Sequence, residues 1–266
     1  MDLLQAAVLG LIQGVTEFVP VSSSAHLILT SYVLGWEDQG LAFDMVVHAG
    51  SLIALVAVLR RDLGRILRAM LPGGAENWRD DRRLGWQLLA GTLPVALLGL
   101  LLQGWVEKHL RSPGVVGVAL IVFGLLLWLA DHLGSGRERI YSLSWLAVLL
   151  IGTVQAVAMI PGTSRSGITM TAALVVGLAR TEAARFSFLL AVPVLTLVAA
   201  KTVLDLVSGI VEAPPLGALV CGFLVSAITA YLAVGWLLRW LRTRSMAPFT
   251  VYRVILGSSI LMLYFG

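Results

Sequence analysis

Two short polar stretches hold the residues able to do chemistry, and each interrupts a long apolar run. The first reads Gln13-Gly14-Val15-Thr16-Glu17-Phe18-Val19-Pro20-Val21-Ser22-Ser23-Ser24-Ala25-His26. The second reads Pro161-Gly162-Thr163-Ser164-Arg165-Ser166-Gly167. A charged side chain at bilayer depth costs about 2.5–3.5 kcal/mol on insertion scales, so Glu17, His26 and Arg165 are functional candidates by default. Ser22, Ser23 and Ser24, like Thr163, Ser164 and Ser166, are residues that cap helix N-termini. Such a terminus offers unpaired N–H groups and about half a positive charge, which makes it a ready anion site. Arg165 adds a planar fork suited to phosphate, and Gly162 and Gly167 would let backbone approach a ligand closely. The expected chemistry is that of a phosphate or diphosphate cradle.

Within this cradle Glu17 lies four residues after Gln13, so both project from one helix face. A carboxylate beside a phosphate repels it unless a divalent cation bridges the two, so Glu17 is the candidate ligand for Mg2+ or Ca2+. His26 falls about one turn beyond Ser22 and Ser23, a spacing suited to general acid/base or nucleophilic work. Each residue also has a plain structural use. A serine can bond its own backbone, a lone histidine can satisfy a core hydrogen bond, and Arg165 can pair with Glu17 as a lock. The combination at two matched turns favours function. His48 is a further candidate for the pocket lining, whereas Asp44, Lys201 and Asp205 are explained by helix-end or snorkelling roles.

The elements that must position these residues are membrane helices. The 266-residue chain is 58% hydrophobic and only 13% charged, with mean hydropathy +0.91, where soluble domains carry roughly 25% charged residues. Apolar segments at 114–130 and 216–238 are long enough to cross about 30 Å of hydrocarbon as helices. They do not alternate, which excludes a β-barrel reading. The net charge of +4 does not imply a nucleic-acid partner, because the basic residues sit in short loops, as membrane topology requires. Cys221 is the single cysteine and forms no intrachain disulfide. No basic residue precedes the first apolar run, so it reads as a retained segment and not a cleavable signal.

Pro20 stops the first helix at about residue 19, and a short second helix is expected over 25–34. Such a pair reads as a re-entrant hairpin, tolerated at depth only against protein or a wet cavity. Spans follow at 41–59, 86–106 and 115–130, with an arginine-rich loop over 60–83 that includes Glu76. The second half repeats this order: an apolar run over 143–160 containing Gln155, a stop at Pro161, a short helix to about 178, then spans at 186–206, 216–238 and 250–265. The halves align at a spacing of roughly 142 residues, Gln13 opposite Gln155 and Pro20 opposite Pro161 with a one-residue slip between. Repeats of this kind occur in transporter folds.

The expectation is a single membrane domain over 1–266, all-α, built as an inverted-topology repeat. Repeat 1 spans about 1–133 and repeat 2 about 141–266, each a re-entrant hairpin plus three transmembrane helices. Three crossings per half would insert the second half upside down. The positive-inside rule agrees: with 60–83 cytoplasmic, Arg137, Arg139, Arg180, Arg185, Arg239, Arg242 and Arg244 also fall inside, leaving Lys108 and Arg111 outside, with Lys201 expected buried nearby. Both termini are then expected on the periplasmic side, with the hairpins meeting near the midplane.

At these residues the chain resembles the undecaprenyl-diphosphate phosphatase family, bacterial membrane enzymes associated with bacitracin resistance. The stretch 13–26 matches the family's Glu/Gln-x-x-x-Glu motif and following Ser-Ser-x-x-His, and 161–167 matches its Pro-Gly-x-Ser-Arg-Ser-Gly motif. Gln13 stands at a position where the family admits Glu or Gln, which leaves Glu17 as the carboxylate for metal. The resemblance implies hydrolysis of undecaprenyl diphosphate to undecaprenyl phosphate and inorganic phosphate in the bacterial inner membrane, recycling the lipid carrier of cell-wall synthesis. It also implies a divalent cation and a pocket open to the periplasm. The partners are then the polyprenyl diphosphate lipid and membrane lipids, with a homodimer an allowed assembly. Arg165 is assigned to the phosphates and Ser23 is the preferred nucleophile with His26 as its base. Direct attack by His26 and a metal-bound water are the rivals. A secondary transporter or lipid flippase with the same architecture is the alternative function.

Overall fold

The computed structural model describes residues 1–72, 78–110, 112–134, 136–208 and 214–265, so Glu76 and Arg111 lie outside the described residues. Eleven α-helices are described: α1 Leu3–Thr16, α2 Ser23–Leu34, α3 Gly40–Val58, α4 Arg60–Met70, α5 Arg79–His109, α6 Pro113–Leu133, α7 Trp145–Gln155, α8 Arg165–Val175, α9 Arg180–Val207, α10 Leu216–Trp240 and α11 Ala247–Phe265. An isolated parallel bridge between Glu138 and Leu178 is the only extended pairing among the described residues. Five helices, α5, α6, α9, α10 and α11, are long and apolar enough to cross a membrane. A sixth span is formed if α3 and α4, bent by 79° at their junction, count as one broken or re-entrant element. The chain is a multi-pass integral membrane protein.

Five of the six expected spans are present, some beginning up to seven residues earlier, and the one expected over 41–59 is α3, which counts as a span only together with α4. One expectation changes. The arginine-rich segment taken as a loop begins with a helix, α4. Its Ile66 and Ala69 are buried while Arg60, Arg61, Arg65 and Arg68 stay exposed, an amphipathic pattern of the kind that lies along an interface. It is clamped from α9 by Arg185, whose Nη2 and Nε donate to the two carboxylate oxygens of Asp62 at 2.7 and 3.0 Å. Arg65 donates to the Tyr141 hydroxyl at 3.0 Å, which donates to Asp81 at 2.8 Å. Burial and the bond to Asp81 push the Tyr141 hydroxyl above its usual pKa. Arg180 pairs with Asp131, which also accepts from the Met246 N–H. These contacts gather α4, the end of α6, the start of α9 and the α10–α11 junction at one end of the bundle.

The two broken apolar helices, α1 and α7, are held by glycine contacts with long spans. A Cβ on Gly10 would overlap the Gly222 carbonyl on α10, and one on Gly152 would overlap Gly91 on α5. Such small-residue contacts allow backbones to approach closely where there is no hydrophobic drive between lipid-exposed helices. Between α3 and α10, Ser226 donates to the Val47 carbonyl at 2.6 Å and lies 2.8 Å from Ser51 Oγ. At the opposite end from the arginine cluster, Cys221 near the start of α10 reaches the Leu3 carbonyl of α1. A separate cavity there is bordered by Met1, Trp36 and Pro215.

Candidate active site

Both polar stretches become turns for the same reason. Pro20 and Pro161 lack an N–H and push the preceding residue out of the α region. Helix α1 ends at Thr16 with a turn over 17–20 before the chain restarts. A 3-10 turn over Ala156–Met159 that follows α7 ends just before Pro161, where Ile160 is extended. The chain restarts helically at Ser23 and at Arg165, after Ser22 and Ser164 at the N-cap positions. These two serines have φ of 75° and 69° and are the non-glycine residues with positive φ among the described residues. Left-handed backbone at a residue with a Cβ costs on the order of 1–3 kcal/mol and concentrates at functional sites. Their separation in sequence equals that of Gln13 and Gln155. Ser164 Oγ accepts the Gly167 N–H at 3.1 Å, whereas Ser22 Oγ lies 3.2 Å from Ser24 Oγ.

Glu17 is the centre. It is 7% exposed and takes bonds from both halves of the chain. Arg165 Nη2 donates to Oε1 at 2.7 Å. Oε2 accepts from Gln13 Nε2 at 3.0 Å and from Ser23 Oγ at 2.8 Å, and His48 Nε2 lies 3.4 Å away. His48 Nδ1 sits 2.6 Å from the Asp44 carbonyl. That acceptor keeps the proton on Nδ1, so Nε2 can donate to Glu17 only as imidazolium. The Arg165 guanidinium also lies over the Phe18 ring, 5.7 Å from its centroid. A cavity of about 240 Å3 opens on this group.

Of the residues singled out from sequence, Glu17, Ser22, Ser23 and Ser24 line the cavity, joined by His48, Ser164 and Arg165. Gln13 stands behind Glu17. Thr163 and Ser166 are fully buried, Ser166 Oγ lying 3.4 Å from the Val19 carbonyl of the other turn. Gly162 packs on the Val116 backbone and Gly167 on the Arg253 side chain, so their lack of a Cβ serves packing between elements. His26 turns to α11. Its Nδ1 is 2.7 Å from the Ser22 carbonyl and its Nε2 is 2.6 Å from the Tyr252 hydroxyl. Ser23 therefore has Glu17 at its hydroxyl, while both ring nitrogens of His26 are engaged elsewhere.

Sequence reading gave α11 only as a span over 250–265 and missed that it reaches the site with two consecutive residues. Tyr252 stacks on His26 with ring centroids 5.6 Å apart. Arg253 is fully buried and donates to five carbonyls: Leu120 and Ala119 of α6 at 3.1 and 3.4 Å, Pro20 of the first turn at 3.3 Å, and Gly162 and Thr163 of the second at 3.0 and 2.9 Å. It gathers carbonyls freed by both helix breaks. The signal was present, since Arg253 is a charge inside an apolar span.

The donor set bears on the cation. Glu17 is a lone carboxylate already bonded by three side chains, and among the described residues no group of three or more His, Cys, Asp or Glu side chains is placed to hold a metal ion. Such a set fits a cation that takes one carboxylate and otherwise phosphate and water oxygens, the habit of Mg2+.

Fold and site together define a class: polytopic helical membrane proteins with a buried polar cavity at two interrupted helices. Residues 6–259 match the family described as Bacitracin resistance protein BacA, and the chain belongs to it. It is 48% identical to Undecaprenyl-diphosphatase 1 of Pseudoalteromonas translucida (strain TAC 125), with 98% of each chain covered. It is also 48% identical to Undecaprenyl-diphosphatase 2 of Stutzerimonas stutzeri (strain A1501), each covered in full. A third relative, Undecaprenyl-diphosphatase of Magnetococcus marinus (strain ATCC BAA-1437 / JCM 17883 / MC-1), is 48% identical over 97% of both chains.

Proposed function

We propose that the protein hydrolyses undecaprenyl diphosphate to undecaprenyl phosphate and inorganic phosphate. The observation that carries this reading is the Arg165–Glu17 contact at 2.7 Å, which brings the two motifs together at a serine-walled cavity. The full-length likeness to relatives named for this activity supports it. A lipid substrate also explains why a phosphate site lies inside a membrane protein. Ser23 attacks the terminal phosphorus, its proton passing to Glu17 Oε2, and the bond from phosphorus to the bridging oxygen breaks as undecaprenyl phosphate leaves. Water then releases phosphate from the serine. Arg165 shifts from Glu17 to the phosphate oxygens, since phosphoryl transfer depends on charge neutralisation and alignment. His26, with both ring nitrogens bonded to the Ser22 carbonyl and the Tyr252 hydroxyl, holds the start of α2 against α11 and so positions Ser23. A divalent cation held through Glu17 would supply further charge neutralisation.

The same reading places the site on the periplasmic side of the inner membrane and makes the two halves an inverted repeat over about 1–133 and 141–266. Three coincidences at one spacing support the repeat: Gly10 with Gly152, Gln13 with Gln155, and the strained Ser22 with Ser164. The arginine cluster at one end supports the orientation. A homodimer is compatible with the exposed apolar helix faces. The test is phosphate release from undecaprenyl diphosphate by purified protein in detergent. Wild type should release phosphate and lose activity with chelator, and Glu17→Ala should fall at least about a thousandfold, as losses of central catalytic groups do. A wild type that releases none would end the assignment, because transport alone yields no phosphate.

A further inference from the structure

We propose that Gln155 is a substrate-contacting residue whose side-chain amide donates to a diphosphate oxygen in the bound state, making the second half of the chain the carboxylate-free wall of the pocket. The inference rests on the phosphatase reading of the same cavity. Gln155 ends α7, is fully buried and contributes to the cavity wall beside Arg165 and Met159. Neither atom of its amide has a hydrogen-bond partner, and Arg165 Nη1 is likewise unpartnered. A buried amide without a partner costs about 1–3 kcal/mol, and a buried polar group left in that state calls for an explanation.

Comparison with Gln13 supplies one. Gln13 Nε2 donates to Glu17, four residues further on and one helical turn away. Four residues beyond Gln155 stands Met159, whose thioether is a weak acceptor. Glu17 and Met159 both border the cavity. The glutamine recurs in both halves while its carboxylate partner occurs in one. The first glutamine therefore orients Glu17, and the second keeps its donor for something that enters the cavity. A diphosphate fits because Arg165, which carries another unused N–H, lines the same cavity, so the second half presents donors with no competing carboxylate. A second carboxylate at position 159 would satisfy Gln155 and repel the substrate.

The test is a comparison of Gln155→Leu, Gln155→Glu and wild type for phosphate release, for competitive inhibition by inorganic diphosphate, and for thermal unfolding in detergent. Losing one hydrogen bond to a charged group predicts a rise in KM, and in the inhibition constant for diphosphate, on the order of tenfold or more for Gln155→Leu. Its unfolding temperature should be unchanged or higher, since the substitution removes an unpaired buried amide. Gln155→Glu should bind diphosphate more weakly still. A wild-type inhibition constant in Gln155→Leu overturns the proposal, as does a lowered unfolding temperature without change in KM, which would make Gln155 a packing residue. An inactive wild type would instead remove the phosphatase reading, and diphosphate binding, measured directly on that protein, would still decide the role of Gln155.

Discussion

Arg165 and Glu17 illustrate how one pair holds two readings. In the structure they are the structural lock that a buried cation and carboxylate make, and breaking such a pair by removing one partner is costly. Under the proposed mechanism, substrate would replace one partner with another: the phosphates would take the guanidinium, and Glu17 would keep Gln13 and Ser23. Ser23 is the sharper probe, because its hydroxyl contacts Glu17 alone among the described side chains. Ser23→Ala should cut turnover by at least about a thousandfold while leaving the substrate dissociation constant within about threefold, because Arg165 and the turn amides remain. Phosphate release and equilibrium binding of the lipid check this, and near-normal turnover would remove Ser23 as nucleophile. Spacing alone had paired Ser23 with His26, three residues on. At the start of α2, however, the Ser22 carbonyl captures Nδ1 and Tyr252 captures Nε2, contacts that no local pattern in residues 13–26 reveals.

At the scale of elements, the legible features were those written locally. Prolines punctuate helices, serines restart them, and unbroken apolar runs make spans, so both turns and five of the six spans could be read from the chain. Two elements were not legible. Helix α4 was hidden because five charged residues among its eleven resemble a loop until Ile66 and Ala69 are seen buried. The contribution of α11 was hidden because Arg253 meets the turns only after folding, across 90 or more residues of chain. Its five carbonyl bonds make α11 the strap across both breaks. Arg253→Met should leave several buried carbonyls unpaired and cost at least about 3 kcal/mol, lowering the unfolding temperature and kcat together. Arg253→Lys, with three donors, should retain part of both. Thermal unfolding and phosphate release in the same detergent read the two effects, and a stable, active Arg253→Met would show that the turns need no strap.

For the whole molecule the question is which end faces which compartment. Sequence charge bias and structural contacts bear on it independently. Arg60, Arg61, Arg139, Arg180, Arg242 and Arg244 belong to segments that the Asp62–Arg185 and Asp131–Arg180 pairs and the Met246 N–H bring to one end. The start of α1 and the start of α10 meet at the other end through Leu3 and Cys221. Moving an arginine-rich end across the bilayer during insertion is the disfavoured choice, so the arginine end is expected in the cytoplasm and the first residues in the periplasm. In a Cys221→Ser background, Glu37→Cys should react with a membrane-impermeant maleimide applied to intact spheroplasts. Arg242→Cys should react only after permeabilisation. Both positions are exposed, so access depends on the compartment and not on burial. The opposite labelling pattern would turn the protein over, placing the diphosphate cavity on the cytoplasmic route and requiring a cytoplasmic supply of the lipid.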